Sequence, residues 1–283
     1  MTVFSLSLWS LSCQVNSFWA ELCSLKKEWK EYIYQKESWY WQRQSPILFP
    51  IVWALLNGKY QYKNSIYSMS QHGFARDMEW KLLENNETSC TFLLQDSEET
   101  RKVYPFSFDF SVRYSLITDW LHVDFSIKNR WMEGAIMPVS FGAHPAFSFD
   151  GDISEYSVIF PDDTILLCDR LEKWLLSHHE IFHLHNHTLQ LSEKIFERDA
   201  IILRQLHSQR CIFQKGNKEI FTFHRWLFPH FALWKQPGAH FICFEPWHGF
   251  ADIIDASWDL KDKLWILLLS PNHEVIHAWN ISL

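Results

Sequence analysis

From Phe106 to Leu116 every second residue is apolar: Phe106, Phe108, Phe110, Val112, Tyr114 and Leu116 alternate with Ser, Asp, Ser, Arg and Ser. A period of two predicts a half-buried strand, because successive side chains of extended backbone point to opposite faces. Pro105 stands at its start, where a missing N–H is tolerated. Thr118-Asp119 predicts a turn, after which Leu121, Val123, Phe125 and Ile127 resume the alternation, so the two runs form a hairpin. Ser5-Leu6-Ser7-Leu8 alternates in the same way. Shorter strand candidates recur at Cys90 to Leu94, Tyr156 to Phe160, Thr164 to Cys168, Ile201 to Leu203, Ile220 to Phe223, His240 to Phe244 and Val275 to Ile281, separated by Asn, Asp, Gly and Pro. Helix-period stretches are scarce. Many strands without intervening helices predict an all-β antiparallel sandwich or barrel, not an α/β sheet.

The chain has 283 residues with no internal repeat or low-complexity linker, which a single large β domain over 1–283 accommodates. With 47% hydrophobic and 21% charged residues it has the material for a packed interior, which excludes a disordered chain. The net charge of -7 is spread without a basic stripe, so nucleic acid is not an expected partner. Cys13, Cys23, Cys90, Cys168, Cys211 and Cys243 lie far apart with no CxxC pair and read as reduced core residues. No Lys or Arg precedes Lys26, so the basic region of a secretory signal is missing. No apolar run approaches the ~18 residues that cross a bilayer, and Trp265 to Leu269 has the length of a buried strand. A cytoplasmic chain with no membrane partner is expected.

Three segments carry candidate chemistry: Gln71-His72-Gly73-Phe74-Ala75-Arg76-Asp77, Phe141-Gly142-Ala143-His144-Pro145-Ala146-Phe147, and Cys243-Phe244-Glu245-Pro246-Trp247. Each sets an ionisable group beside Gly or Pro among apolar neighbours, where low dielectric disfavours the charged form. Taken singly, His72 and Glu245 read as well as hydrogen-bonded core or turn residues. Together they point to a site. A competing cluster is His178, His179, His183, His185 and His187, whose last three alternate and would share one face of a strand. Such a face can ligate zinc or nickel, but the spacing matches no structural zinc pattern and no cysteine is near. A solvated surface strand is the competing reading, and no metal is expected.

With Ala20-Glu21-Leu22, Ser24-Leu25-Lys26, Ser45 to Val52, Asn57-Gly58-Lys59-Tyr60 and Phe241 to Asp252, these segments resemble the aldose 1-epimerase (galactose mutarotase-like) family, in its LacX-like branch. The resemblance runs in order along almost the whole chain. It implies a large antiparallel β-supersandwich of the galactose mutarotase-like type, with a cleft for a pyranose. It implies that His144 is the general acid and Glu245 the general base, that His72 and Arg76 hold the sugar hydroxyls and ring oxygen, and that Asp199 grips substrate. Trp247 would offer a π-face to the C–H side of the sugar, unless it is a plain core tryptophan. The implied reaction interconverts the α and β anomers of an aldohexose by opening and reclosing the C1–O5 bond, with Glu245 a carboxylate and His144 an imidazolium. A small-molecule sugar is then the partner, and no cofactor is needed. A carbohydrate-binding protein without turnover and a hexose-phosphate mutarotase are the alternatives.

Two departures from the resembled pattern bear on the site. Ala54 stands where many relatives place an arginine, which leaves Arg76, with Arg43, as the cationic contact. Trp19, Trp29, Trp53, Trp131, Trp174, Trp258 and Trp265 stand where the pattern has glycine, in a chain with 16 tryptophans and 8 glycines. An indole where a turn wants a left-handed residue costs ~1–3 kcal/mol, so seven would consume most of a domain's stability. Glycine specified by UGA at these positions removes the conflict, and turns that have drifted so that the indoles lie on the surface are the alternative; Trp41, Trp234 and Trp247 stand at tryptophan positions of the pattern.

Overall fold

The structure is a computed structural model and describes residues 2–36, 39–131 and 134–283. The alternating run forms strand Phe108–Ile117 and pairs antiparallel with Trp120–Asn129, in the register Ile117 with Trp120 that a turn at Thr118-Asp119 requires. Phe108, Phe110, Val112, Tyr114 and Leu116 are buried and the residues between them are not. Leu6 is the buried residue of strand Val3–Leu8, the first of a four-stranded amino-terminal sheet.

Two large antiparallel sheets make the body. The nine-stranded sheet runs, edge to edge, through Thr188–Gln190, Tyr156–Ile159, Arg210–Lys215, Lys218–His224, Glu274–Ser282, Trp120–Asn129, Phe108–Ile117, Ser89–Gln95 and Lys81–Asn85. The eight-stranded sheet runs through Leu175–His183, Ile165–Glu172, Ile201–Arg204, His230–Trp234, Phe241–His248, Phe141–Ala143 and Ile47–Leu48, with Ala146–Ser148 also pairing to Phe241–His248. Aromatic side chains weld the two sheets: Phe244 of the second lies 5.0 Å from Phe221 and 5.5 Å from Phe213 of the first, ring centre to ring centre. Offset and edge-on pairs at this spacing add about 0.5–1.5 kcal/mol each beyond area burial. Leu260–Asp262 and a few other single turns are the main helical pieces beside two short α-helices, Glu98–Val103 and Glu193–Phe196. The expected all-β fold is what forms, and no helix among the described residues is long and apolar enough to cross a membrane.

Three local expectations change. Trp265 to Leu269 is not a buried strand: only Leu267–Leu269 is extended, and Trp265 and Leu268 face solvent. Leu267–Leu269 pairs antiparallel with Met137–Val139 in a two-stranded sheet of its own, so hydrophobicity alone misplaces it. His183, His185 and His187 do not share a strand face, because strand Leu175–His183 ends there and Asn186-His187 turns with left-handed φ. Of the seven tryptophans at expected glycine positions, Trp53, Trp174 and Trp265 have left-handed φ while Trp19, Trp29, Trp131 and Trp258 do not. All six cysteines are free thiols, five of them buried.

Three histidines sit at one end of the core. His248 Nδ1 lies 3.1 Å from His277 Nε2, and His230 has neither ring nitrogen hydrogen-bonded. Burial, the largest cause for each, lowers their pKa values to about 4, 4 and 3 respectively. The folded chain holds them neutral, whereas the unfolded chain takes up protons below about pH 6.5. Their stabilising contribution is therefore complete above that pH and lost as pH falls toward 4, by ~1.4 kcal/mol per pH unit for each histidine. Thermal melts should give a constant Tm above pH 7 and a steep fall below pH 6. An unchanged Tm from pH 7 to 5 would show that these rings are not buried neutral groups.

Candidate active site

Strand Phe241–His248 has two faces. Ile242 and Phe244 point into the main core, while Phe241, Cys243, Glu245 and Trp247 point the other way. On one side it pairs with His230–Trp234, which sets Ala232 opposite Glu245 and Trp234 opposite Cys243. On its other side the partner is broken: Phe141–Ala143 and Ala146–Ser148 both pair with it, and His144-Pro145 bridges the gap. The Phe244 N–H donates to the Pro145 carbonyl across that gap, 3.1 Å. Gly142 lets the two strands meet, since a Cβ there would lie 2.7 Å from Trp247 Cδ1 and 2.8 Å from the Pro246 carbonyl oxygen.

This pairing places His144 Nε2 3.1 Å from Glu245 Oε2. The approach lacks hydrogen-bond alignment, and both carboxyl oxygens of Glu245 are buried without a hydrogen-bond partner. Glu245 is 0% exposed and His144 5% exposed. Burial raises the Glu245 pKa well above the ordinary carboxylate range; Asp199 adds to this and the Trp247 indole opposes it. Burial likewise takes the His144 imidazole down to about 3, against a backbone hydrogen bond that favours its charged form, with Arg76 and Arg43 pushing further down. Burial thus favours the uncharged form of each group. The expected carboxylate and imidazolium would need partners to offset their desolvation, and both Glu245 oxygens and His144 Nδ1 are buried without one.

His72 comes from a second tight junction. The Phe49 carbonyl accepts from Phe74 and Ala75, and the Phe49 N–H donates to the His72 carbonyl, at 2.9, 3.2 and 3.2 Å. Gly73, at φ 71°, is required there, because its Cβ would sit 2.1 Å from the Phe49 oxygen. The Trp53 N–H donates to His72 Nδ1 at 3.1 Å, which leaves the proton on Nε2. His72 is held neutral by burial first, then by His144 and the arginines. Arg76 is fixed by donating to the Gln71 carbonyl at 2.7 Å, and its Nε is buried without a hydrogen-bond partner.

These groups surround a cleft of about 540 Å³ lined by Trp41, His72, Arg76, His144, Asp199 and Trp234, with Trp53, Lys173 and Trp174 on one wall. Asp199 has left-handed φ and accepts from the Ala200 N–H at 2.9 Å; burial raises its pKa. His72, Arg76, His144 and Asp199 are therefore brought together as expected, and Glu245 stands directly behind His144. Trp247 is not at the cleft: it is 0% exposed and packs behind the wall, so it is no platform for a sugar. Arg43 does not line the cleft either. It donates to the Arg76 carbonyl at 2.9 Å and pairs with Asp77 at 2.5 Å, bracing the loop that carries Arg76. Trp41 and Trp234 are the aromatic walls that the sequence reading left without a role, with rings 5.0 and 5.5 Å from that of His144. Trp234 ends a strand buried on both faces, which shows no alternation, and Trp41 lies in an irregular segment, so neither gives a local signal. Cys243 completes the setting, its thiol grouped with His144 and Glu245 so that their donor atoms lie within 4.8 Å of one another.

Residues 9–257 match the aldose 1-epimerase family. The chain belongs to that family. Protein LacX of Lactococcus lactis, in plasmid and chromosomal forms, is 30% identical over 272 residues, 86% of each chain. Among solved structures, a galactose mutarotase related enzyme from Lactobacillus acidophilus superposes with a TM-score of 0.92 at 29% identity, covering 99% of this chain and 97% of that one. A galactose mutarotase-like protein from Lactobacillus casei gives 0.91 at 23% identity, covering 99% of each. The two-sheet fold is therefore that of the galactose mutarotase-like proteins, and membership of the aldose 1-epimerase family assigns the chain to the epimerase class.

Gly73 at the His72 junction and Gly134, which lies at an open bend, make a testable contrast within this aldose 1-epimerase family member. Gly73→Ala meets the Phe49 backbone and should lower Tm by the equivalent of at least ~2–3 kcal/mol. Gly134→Ala, with nothing within 4 Å of the new Cβ, should cost only the ~1 kcal/mol of a left-handed alanine. Equal Tm values would show that the His72 turn is not closely packed.

Proposed function

We propose that this aldose 1-epimerase family member is a mutarotase for a free aldohexose, with His144 and Glu245 as the acid and base. The observation that carries the reading is an imidazole that lines the cleft of about 540 Å³ and lies 3.1 Å from a buried carboxyl. With sugar seated, the proton passes from Glu245 to His144, giving the carboxylate and imidazolium that the reaction uses. Glu245 takes the proton of the anomeric hydroxyl while His144 gives one to O5. The C1–O5 bond breaks, C1=O1 forms, and no free alkoxide or oxocarbenium appears. Rotation about C1–C2 turns the other face of the aldehyde to the O5 hydroxyl, and both transfers reverse as the ring closes. Each positioned group contributes ~10²–10⁴-fold.

The remaining residues position the ring. His72 Nε2–H and the Arg76 guanidinium donate to sugar oxygens, and the Asp199 carboxyl accepts from a hydroxyl. Trp41 and Trp234 cover an apolar face of the pyranose. The steps use only these groups and the sugar.

Polarimetry of freshly dissolved α-D-glucose and α-D-galactose is the direct test. The protein should speed relaxation to the anomeric equilibrium, and His144→Ala and Glu245→Gln should lower kcat by ~10²–10⁴-fold while Glu245→Gln still binds sugar. Binding without acceleration would make the protein a carbohydrate-binding one; acceleration confined to the hexose 6-phosphates would move the substrate to phosphosugars. The pH profile is a second test. Because the His144 pKa lies at about 3, kcat/KM should stay flat from pH 8 down to the onset of acid unfolding. An acid limb near pH 6.5 in the folded enzyme would show that His144 is an ordinary, solvated histidine.

A further inference from the structure

Four tryptophans hold left-handed backbone: Trp9 at φ 53°, Trp53 at 64°, Trp174 at 75° and Trp265 at 60°. Among the described residues 18 that are not glycine have positive φ. Tryptophan is 16 of the 275 non-glycine residues, so about one would be expected there, and a bulky side chain is the least suited to it. Glycine is correspondingly scarce: the chain has 8, where ordinary usage of roughly 7% gives about 20. Lys173 and Trp174, at φ 49° and 75°, are the two-residue loop between Ile165–Glu172 and Leu175–His183, and both being left-handed is the turn whose second position favours glycine.

Trp53 differs from the other three because it is 3% exposed and lines the cleft. Its ring lies 5.2 Å from that of His72, 6.0 Å from that of Trp247 and 6.5 Å from that of Trp174, and its indole nitrogen has no hydrogen-bond partner. The indole therefore fills the corner between His72 and the Trp247 end of strand Phe241–His248. Glu245 lies two residues before Trp247 on the same face of that strand. Trp41, Trp234, Trp247 and Trp279 have ordinary φ and sit in aromatic packing, so they show none of this conflict.

We infer that positions 53 and 174 are glycine in the protein its own cell makes, specified by UGA codons, and that the space freed at 53 extends the sugar cleft to Glu245. Positions 9 and 265 follow the same code. The codon assignment stands on backbone conformation, and the cleft extension rests on the sugar reading above.

Codons and peptide masses from the source cell test the first part. UGA is expected at 9, 53, 174 and 265, with UGG at 41, 234, 247 and 279, and the peptides spanning 53 and 174 should carry the mass of glycine. UGG at 53 or 174, or the mass of tryptophan there, overturns it. The second part is tested with recombinant protein carrying Trp53→Gly and Trp174→Gly, compared with the chain holding both tryptophans. Tm should rise by roughly 2–4 °C for each kcal/mol of relieved backbone conflict, and kcat/KM for the hexose should rise at least tenfold. A lower Tm would show that the indoles are packed core groups and overturn the extension. A higher Tm with no mutarotation in either protein would keep the glycines and remove the sugar reading instead.

Discussion

The close approach of strand Phe241–His248 to the broken strand beside it is what the site depends on. Pairing at Gly142 and again at Ala146 holds the two backbones in register, and the interruption between them projects one imidazole onto the neighbouring carboxyl. A carboxyl in the middle of a sheet, with no hydrogen bond to either oxygen, is tolerated only if it keeps its proton. The electrostatics of the pair are thus a consequence of strand pairing. They also explain why a single acidic group in so apolar a wall does not unfold it.

The rest of the molecule makes that arrangement rigid. The opposite face of the same strand anchors Phe244 among Phe213, Phe221 and Phe223, so the strand cannot shift without disturbing the core between the sheets. Arg43 and Asp77 clamp the loop of Arg76 from outside, and the Phe49 carbonyl clamps the turn of His72 from inside. The charged groups near the cleft are therefore held by backbone contacts, while His144 Nδ1 and both Glu245 oxygens are left without hydrogen-bond partners. That division suits a site in which substrate supplies the missing hydrogen bonds.

Much of the fold could be read from alternation because a β-strand with one buried face writes its burial at a period of two. The hairpin of Phe108–Ile117 and Trp120–Asn129 is the clearest case, down to its register. Leu267–Leu269 departs from that pattern because it pairs in a two-stranded sheet of its own, which leaves Leu268 exposed despite the apolar run. At the site, residue type beside Gly or Pro marked His72, His144 and Glu245, but their protonation depends on neighbours distant in sequence. Trp247 was misplaced for a similar reason. Its side of the strand is the side of Glu245, yet that end is roofed by Trp53, a contact that no local pattern encodes.

The histidine run has a meaning of its own once its place is known. Strand Leu175–His183 is the outermost strand of the eight-stranded sheet, and beyond Leu176, whose N–H donates to the Asp252 carbonyl at 2.9 Å, its outer edge pairs with no strand among the described residues. Such a border invites a strand from another molecule to dock in register. His178, His179, Glu180 and His183 crowd that border with hydrated side chains, and Glu180 is tethered inward to Arg170 at 2.8 Å. Apolar β-branched residues at the same places would keep the strand but remove the hydration. The run therefore ends the sheet in a border of mostly polar side chains, with the exposed Ile181 among them.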